Sequence, residues 1–309
     1  MKEWTKQHIL GIKDLSRDEI ELVLSQAQAF KEISQREVKK VPALRGKTVL
    51  NLFFENSTRT RTSFELAAKR LSADVINFSS STSSLSKGES AVDTVKTLNA
   101  YHPDIMVVRS VSSACLYDFD KYTQASIVNA GDGQNEHPTQ ALLDMFTVKE
   151  IKGTLEGLNV LIVGDIRHSR VARSNIFAFH KFSSQTTVCA PPTFIPYEFD
   201  KLGGVEVSYD LDEVIGKADV IIMLRIQQER QNSSFFPTIR EYVDKFALTG
   251  ARLAKIKKDC IVLHPGPVNW DVEISSAIKD KVHPLILKQV ENGLAIRMAC
   301  LYLVGTNKR

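Results

Sequence analysis

Apolar runs rich in β-branched and aromatic residues recur along the chain at 47–54, 74–78, 104–108 and 126–129, each followed by a stretch of helix length. Alternation of this kind predicts βαβ units and a parallel sheet. A helix is expected over about 139–152, with Gly153 just past its end. Beyond Gly157 the rhythm restarts at 159–163, 186–189, 205–208, 219–224 and 260–263, so a second sheet of the same kind is expected. The last apolar-periodic segment, from about 285 to 304, has the length of a terminal helix. The expected fold class is therefore α/β, with two doubly wound parallel-sheet domains and the active site in the cleft between them. Their expected bounds are 1–145 and 146–284, with a C-terminal helix 285–309 packing back on the first.

In open parallel sheets, ligands sit outside the carboxyl ends of the strands, so the segments leaving each strand carry the candidate chemistry. After the first run come Ser57-Thr58-Arg59-Thr60-Arg61-Thr62 and then Phe64, Leu66, Ala67, Ala68 and Leu71 at helical spacing. Ser57 to Thr60 thus sit at a helix N-terminus. Unpaired N–H groups and the positive end of the dipole favour an anion there, and Arg59 adds a permanently charged, bidentate grip. An ordinary N-cap needs a single hydroxyl. A string of hydroxyls with an arginine suits phosphate. Two familiar phosphate motifs are excluded: Val41 stands where a P-loop ending in Gly46-Lys47-Thr48 needs glycine, and no dinucleotide pattern follows Gly164-Asp165. Neither ATP nor NAD is supported.

The 309-residue length exceeds one common core, which points to about two domains. Net charge is +4 with the basic residues dispersed, which argues against nucleic acid and fits small acidic substrates. Met1-Lys2-Glu3-Trp4-Thr5-Lys6 is charged with no apolar run behind it, and no run approaches the roughly 18 residues of a membrane span. A cytoplasmic location without membrane contact is expected. Cys115, Cys189, Cys260 and Cys300 lie far apart and match no zinc or disulfide spacing, so buried free thiols are expected.

Further candidates follow the later strands. The glycines of Asn129-Ala130-Gly131-Asp132-Gly133-Gln134-Asn135-Glu136 allow close approach to a ligand, and His137 and Gln140 open the next helix. In isolation His137 reads as a satisfied structural histidine, and Arg109, ending the run 104–108, as a solvated charge. The string from Gly164 to Ser174 makes another helix N-terminus, and Arg225 and Gln227 alternate onto one side after 219–224, an arrangement that suits a carboxylate. Ser83-Ser84-Leu85-Ser86-Lys87-Gly88-Glu89 alone passes for a solvated loop.

Phe-x-Glu-x-Ser-Thr-Arg-Thr from Phe53 to Thr60, His137-Pro138-Thr139-Gln140 and His264-Pro265-Gly266-Pro267 resemble the signatures of the aspartate and ornithine carbamoyltransferases, over nearly the whole chain. The resemblance implies that the first domain binds carbamoyl phosphate and the second the amino acid. Ser57, Thr58, Arg59, Thr60, Arg109, His137, Gln140, Gly266 and Pro267 would bind carbamoyl phosphate, with Arg59, Thr60, Arg109 and His137 as the catalytic set. Thr60, Arg109 and His137 would surround the carbamoyl oxygen, and Gln140 with the carbonyls near Gly266 and Pro267 would hold the carbamoyl NH2. Lys87, Arg170, Arg225 and Gln227 would bind aspartate, with Arg170 on the α-carboxylate and Arg225 and Gln227 on the side-chain carboxylate. Ser84, or Ser83 one residue earlier, and Lys87 would enter from the neighbouring subunit of a homotrimer.

The acidic Ser-Met-Gly-type segment and the His-Cys-Leu-Pro loop of ornithine enzymes are absent, which favours L-aspartate as acceptor. A carbamoyltransferase for another amine and a catalytically silent scaffold homologue are the alternatives. No metal or organic cofactor is implied; regulatory chains or a dihydroorotase are the partners to consider. Relatives place Arg-Gly after the residue matching Asn269, where this chain has Trp270-Asp271 and so lacks a cation. Glu55 is expected to pair with Arg170 or Arg230 when the domains close.

Overall fold

The computed structural model describes residues 3–79, 90–199, 204–226 and 238–307. Its contacts divide the chain into two units, Met1–Leu143 with Glu291–Arg309, and Asp144–Val290.

The first unit opens with α1 (Arg17–Ser34), closed at its start by a reciprocal capping box between Ser16 and Glu19. Its apolar stripe, Ile20, Val23, Leu24, Ala27 and Phe30, is buried at helical spacing. This helix precedes the first strand, so the βαβ rhythm passes over it. There follow β1 (Thr48–Phe53), α2 (Thr58–Arg70), β2 (Asp74–Ser79), α3 (Ala91–Asn99), β3 (Ile105–Ser110), the short α4 (Leu116–Phe119) and β4 (Ser126–Asp132). The strands form one parallel sheet in the order β2-β1-β3-β4. Runs such as Val107-Val108 and Ile127-Val128 are buried without alternation because helices cover both faces of such a sheet. Leu52, Met106 and Val108 pack with Val95 of α3 and with Leu116 and Phe119 of α4. Strands β3 and β4 run past their expected ends, since after a register shift Ser110 pairs with Asp132.

The chain goes from β1 to β2 on one side and then crosses to β3 on the other side of β1. Strand order therefore reverses between β1 and β3, and a ligand crevice opens at the carboxyl ends of such a pair. Ser57 to Thr60 leave the first strand of that pair and Arg109 ends the second.

Helix α5 (Pro138–Lys152) contributes its first residues to the first unit and the rest to the second. The second unit continues with β5 (Asn159–Val163), α6 (Arg170–His180), β6 (Gln185–Cys189), β7 (Val205–Ser208), α7 (Leu211–Val214), β8 (Val220–Met223), α8 (Ile239–Phe246), α9 (Gly250–Leu253) and β9 (Ile261–Leu263). Its parallel sheet has the order β7-β6-β5-β8-β9, so the reversal lies between β5 and β8. Helix α10 (Lys279–Thr306) starts before the expected 285, with Pro284 inside it, and its residues from Glu291 onward belong to the first unit. The unit boundaries at 143/144 and 290/291 fall within α5 and α10 rather than at the expected 145/146 and 284/285. No linker composition marks them, because the helices run straight through.

Candidate functional site

At the first reversal point, β1 delivers Phe54, Glu55 and then Ser57, the N-cap of α2. The Ser57 backbone is extended, its side chain makes no cap hydrogen bond, and the first turn holds no acidic residue. Elsewhere the N-caps Ser16, Ser90 and Thr238 accept a backbone N–H, and the helices they start carry an acidic residue in the first turn. The positive end of α2 is thus left for another anion. Thr58 and Arg59 are exposed there, with Ser57 and Thr60 half-buried.

Arg109 is tied to the same place, since its carbonyl accepts the Phe54 N–H at 2.8 Å. Its Nε donates to Glu55 Oε1 at 2.6 Å, its Nη2 lies 2.6 Å from the same oxygen, and its Nη1 donates to the Ala130 carbonyl at 3.3 Å. Glu55 therefore has a partner in its own unit; Arg230, one of its two expected partners on domain closure, lies outside the described residues.

The loop that brings His137 in is built on two fully buried carboxylates. Asp132 accepts from Asn129 Nδ2 and the Ala114 N–H, both at 2.7 Å, from Asn135 Nδ2 at 3.0 Å and from the Glu136 N–H at 3.1 Å. Glu136 in turn accepts the N–H groups of Ile12 at 2.7 Å and Lys13 at 3.3 Å, pinning the loop to the N-terminal segment. Gly133 is required for this geometry: at φ +47°, an added Cβ would lie 2.6 Å from the Ser113 nitrogen. His137 ends the loop with its carbonyl accepting the Gln140 N–H at 2.9 Å, and both side chains are buried. Ser57 to Thr60, Arg109 and His137 thus leave β1, β3 and β4, adjacent strands of one sheet.

In the second unit, Gly164 leaves β5 at φ +122°, packed against Leu224 so closely that a Cβ would sit 3.1 Å from its carbonyl oxygen. Asp165, buried, accepts the His168 N–H at 3.1 Å and lies 2.9 Å from His168 Nδ1, which shapes the turn into α6. Ser169 caps α6 by accepting the Ala172 N–H at 3.1 Å, and Arg170, buried, is the first helical residue. Across the reversal point, Leu224 donates to the Val163 carbonyl at 2.8 Å and Arg225 follows, half-buried.

A buried carboxylate again organises the surroundings. Glu273 accepts the Ile226 N–H at 2.8 Å, the Asn269 N–H at 2.8 Å and Asn269 Nδ2 at 2.7 Å. It joins the segment carrying Arg225 to the loop after β9 that carries Gly266 and Pro267, whose peptide bond is cis. Within that loop the Gly266 N–H donates to His264 Nδ1 at 2.8 Å, and the His264 N–H to Gln289 Oε1 at 3.0 Å. Ser84, Lys87 and Gln227 lie outside the described residues.

Comparison with known proteins bears on what the two halves bind. The family profile described as "Aspartate/ornithine carbamoyltransferase, carbamoyl-P binding domain" matches residues 7–150, and "Aspartate/ornithine carbamoyltransferase, Asp/Orn binding domain" matches 156–304. The chain belongs to the aspartate/ornithine carbamoyltransferase family. It is 54% identical over 302 residues to the aspartate carbamoyltransferase catalytic subunit of Syntrophus aciditrophicus, covering 98% of each chain. The aspartate transcarbamoylase of Trypanosoma cruzi, crystallised with carbamoyl phosphate and aspartate, is 30% identical with a TM-score of 0.86 and 97% of each chain covered. The same enzyme with N-(phosphonacetyl)-L-aspartic acid gives 0.87 at 30% identity, covering 97% of this chain and 96% of that one.

The departure at Trp270-Asp271 has a local explanation. Asp271 has φ +65°, a left-handed conformation that glycine adopts freely and Asp tolerates better than most residues. Its Oδ1 accepts the Ser276 N–H at 2.7 Å, which also lowers its pKa. Trp270 packs edge-on to His283 at 5.9 Å with the Lys279 ammonium 5.2 Å above its ring, so a cation does stand beside this position, supplied by α10.

The residues that sequence reasoning did not single out are the supporting carboxylates Asp132, Glu136, Asp165 and Glu273. Each is a charged residue that accepts backbone N–H groups from loops, and its burial was the missing signal. Cys115, Cys189, Cys260 and Cys300 are free, but only Cys189 and Cys300 are buried, Cys115 and Cys260 being half-buried; burial pushes the thiol pKa of Cys189, Cys260 and Cys300 up to about 12. Among the described residues no His, Cys, Asp and Glu cluster could hold a metal, and no helix is long and apolar enough to cross a membrane.

Proposed function

We propose that this chain is an aspartate carbamoyltransferase, which moves the carbamoyl group of carbamoyl phosphate to the amine of L-aspartate and so serves pyrimidine synthesis. The observation that carries the reading is the α2 N-terminus, a helix start with no side-chain cap and no acidic first-turn residue, beside Arg109 at a topological reversal point. Such a terminus suits a phosphoryl group, and the relatives at about half identity carry that activity in their names.

In this scheme Ser57, Thr58, Arg59 and Thr60 hold the phosphate. The neutral aspartate amine attacks the carbamoyl carbon, a C–N bond forms, and an electron pair moves onto the carbonyl oxygen. Thr60, Arg109 and His137 donate to that oxygen; fixed donors aimed at developing charge are each worth about 10² to 10³ in rate. As the tetrahedral species collapses, the C–O bond to phosphate breaks, and the leaving phosphate takes the proton from the amine. Gln140 and the carbonyls at Gly266 and Pro267 hold the carbamoyl NH2. Arg170 binds the aspartate α-carboxylate, and Arg225 with Gln227 the other, while Ser84 and Lys87 come from a neighbouring subunit of a homotrimer in the cytoplasm. Regulatory chains or a dihydroorotase are candidate partners of that trimer.

Product analysis with aspartate, ornithine and acetylated ornithine tests the acceptor, and carbamoylation of ornithine but not aspartate would refute it. A mass measurement of the assembly tests the trimer. Arg59→Ala should abolish turnover while leaving the unfolding transition intact; near-normal activity in that variant removes the cradle from the mechanism.

A further inference from the structure

Behind the cradle, α10 supplies a buried cation that the reaction scheme does not use. Arg297 is 6% exposed. Its Nη1 donates to Ser63 Oγ at 2.8 Å, its guanidinium carbon lies 5.2 Å over the Phe64 ring, and its Nε has no hydrogen-bond partner. Among the described residues no carboxylate pairs with it.

A buried charge without a counter-ion is unfavourable, and an aromatic face compensates it only in part. Burial pulls the Arg297 pKa down to about 10, and the Arg59 charge acts in the same direction, so the group is charged at neutral pH and senses the cradle arginine. Ser63 and Phe64 belong to α2; at about 1.5 Å per residue, Ser63 lies about 7.5 Å along the axis from Thr58. The cation therefore stands behind a helix start that carries neither a side-chain cap nor an acidic first-turn residue.

We propose that Arg297 is a positioning residue for the anion at the α2 N-terminus: its unpaired buried charge is balanced by the phosphoryl group that binds there, and its repulsion keeps the Arg59 side chain turned outward to meet that group. The inference rests on the reading of α2 as the carbamoyl phosphate cradle. Phosphate at the α2 start would offset the Arg297 charge, which no carboxylate balances among the described residues.

The test uses the full-length protein with inorganic phosphate as probe, alongside steady-state kinetics. Arg297→Met keeps bulk and removes charge. It should leave the unliganded unfolding midpoint unchanged or raised, weaken phosphate binding about tenfold as expected for loss of a nearby, partly screened charge, and raise the KM for carbamoyl phosphate with that for aspartate little changed. Arg297→Lys should recover most of the phosphate affinity. Phosphate affinity equal to wild type in Arg297→Met overturns the proposal. So does a chain that folds without ligand only when position 297 is Arg or Lys, because the charge would then be balanced inside the empty protein. If wild type binds no phosphate, the cradle reading falls together with the proposal; if wild type binds it and Arg297→Met binds it equally, only the role of Arg297 falls.

Discussion

Glu273→Ala removes the acceptor of three hydrogen bonds that tie the exit of β8 to the loop after β9. Two of the donors are backbone N–H groups, of Ile226 and Asn269, and Ile226 is wholly buried. An orphaned buried donor costs about 1–3 kcal/mol, so orphaning the two backbone N–H groups should cost about 2–6 kcal/mol locally. A Gln at this position keeps the shape and one acceptor oxygen but sets an NH2 against an N–H donor, and should lose about half as much. Because the chain has two units, a single global unfolding free energy is a poor monitor. Amide exchange at Ile226 and Asn269 reads the local opening directly, and the KM for aspartate reads the displacement of Arg225 next to Ile226. Exchange accelerated by less than about fivefold, equivalent to about 1 kcal/mol, together with an unchanged KM, would refute the reasoning.

Gly133→Ala places a Cβ 2.3 Å from Ser113 Oγ and 2.6 Å from the Ser113 nitrogen at φ +47°, and should cost about 3 kcal/mol or more in thermal unfolding. Wild-type stability would show the loop geometry to be wrong. Glu55→Gln removes the carboxylate that orients Arg109, so turnover should fall about tenfold or more with the fold intact, and turnover equal to wild type would make the ion pair incidental. Asp212 is held down to about 2 by Arg252 and then Lys255, against an ordinary 3.8. A depressed acid stabilises the fold above its unfolded pKa and loses that contribution as pH falls through the folded one. Since its side chain is 40% exposed, Asp212→Asn should cost only about 1 kcal/mol at pH 7, with the difference from wild type vanishing between pH 3.8 and about 2. A gap that persists below that window would assign the loss to packing.

The parts of the fold legible in the sequence were those with a strong period. Val160 to Val163 and Val220 to Met223 are buried apolar runs bounded by polar residues, and buried parallel strands must look like that. The cradle was legible because Ser57 to Thr60 carries hydroxyls and an arginine in consecutive positions between a strand and a helix. The supporting carboxylates were not, because Asp132, Glu136 and Glu273 look like any solvated acid until burial is known. Nor was the limit of each unit, since the chain passes through 143/144 and 290/291 in unbroken helix.

Residues close together in the chain were enough to imply two parallel α/β sheets, a helix start suited to an anion, and the signature of the family. These are local properties, set by side-chain period and by consecutive residues. Only the tertiary structure decided that β1 and β3 flank the reversal point of the first sheet and β5 and β8 that of the second. It alone holds Glu55 on Arg109 and Glu273 on Ile226, and it alone sets Arg297 behind Ser63 from the far end of the chain. Such pairings depend on strand order and on which charges lose water, and neither is written in neighbouring residues.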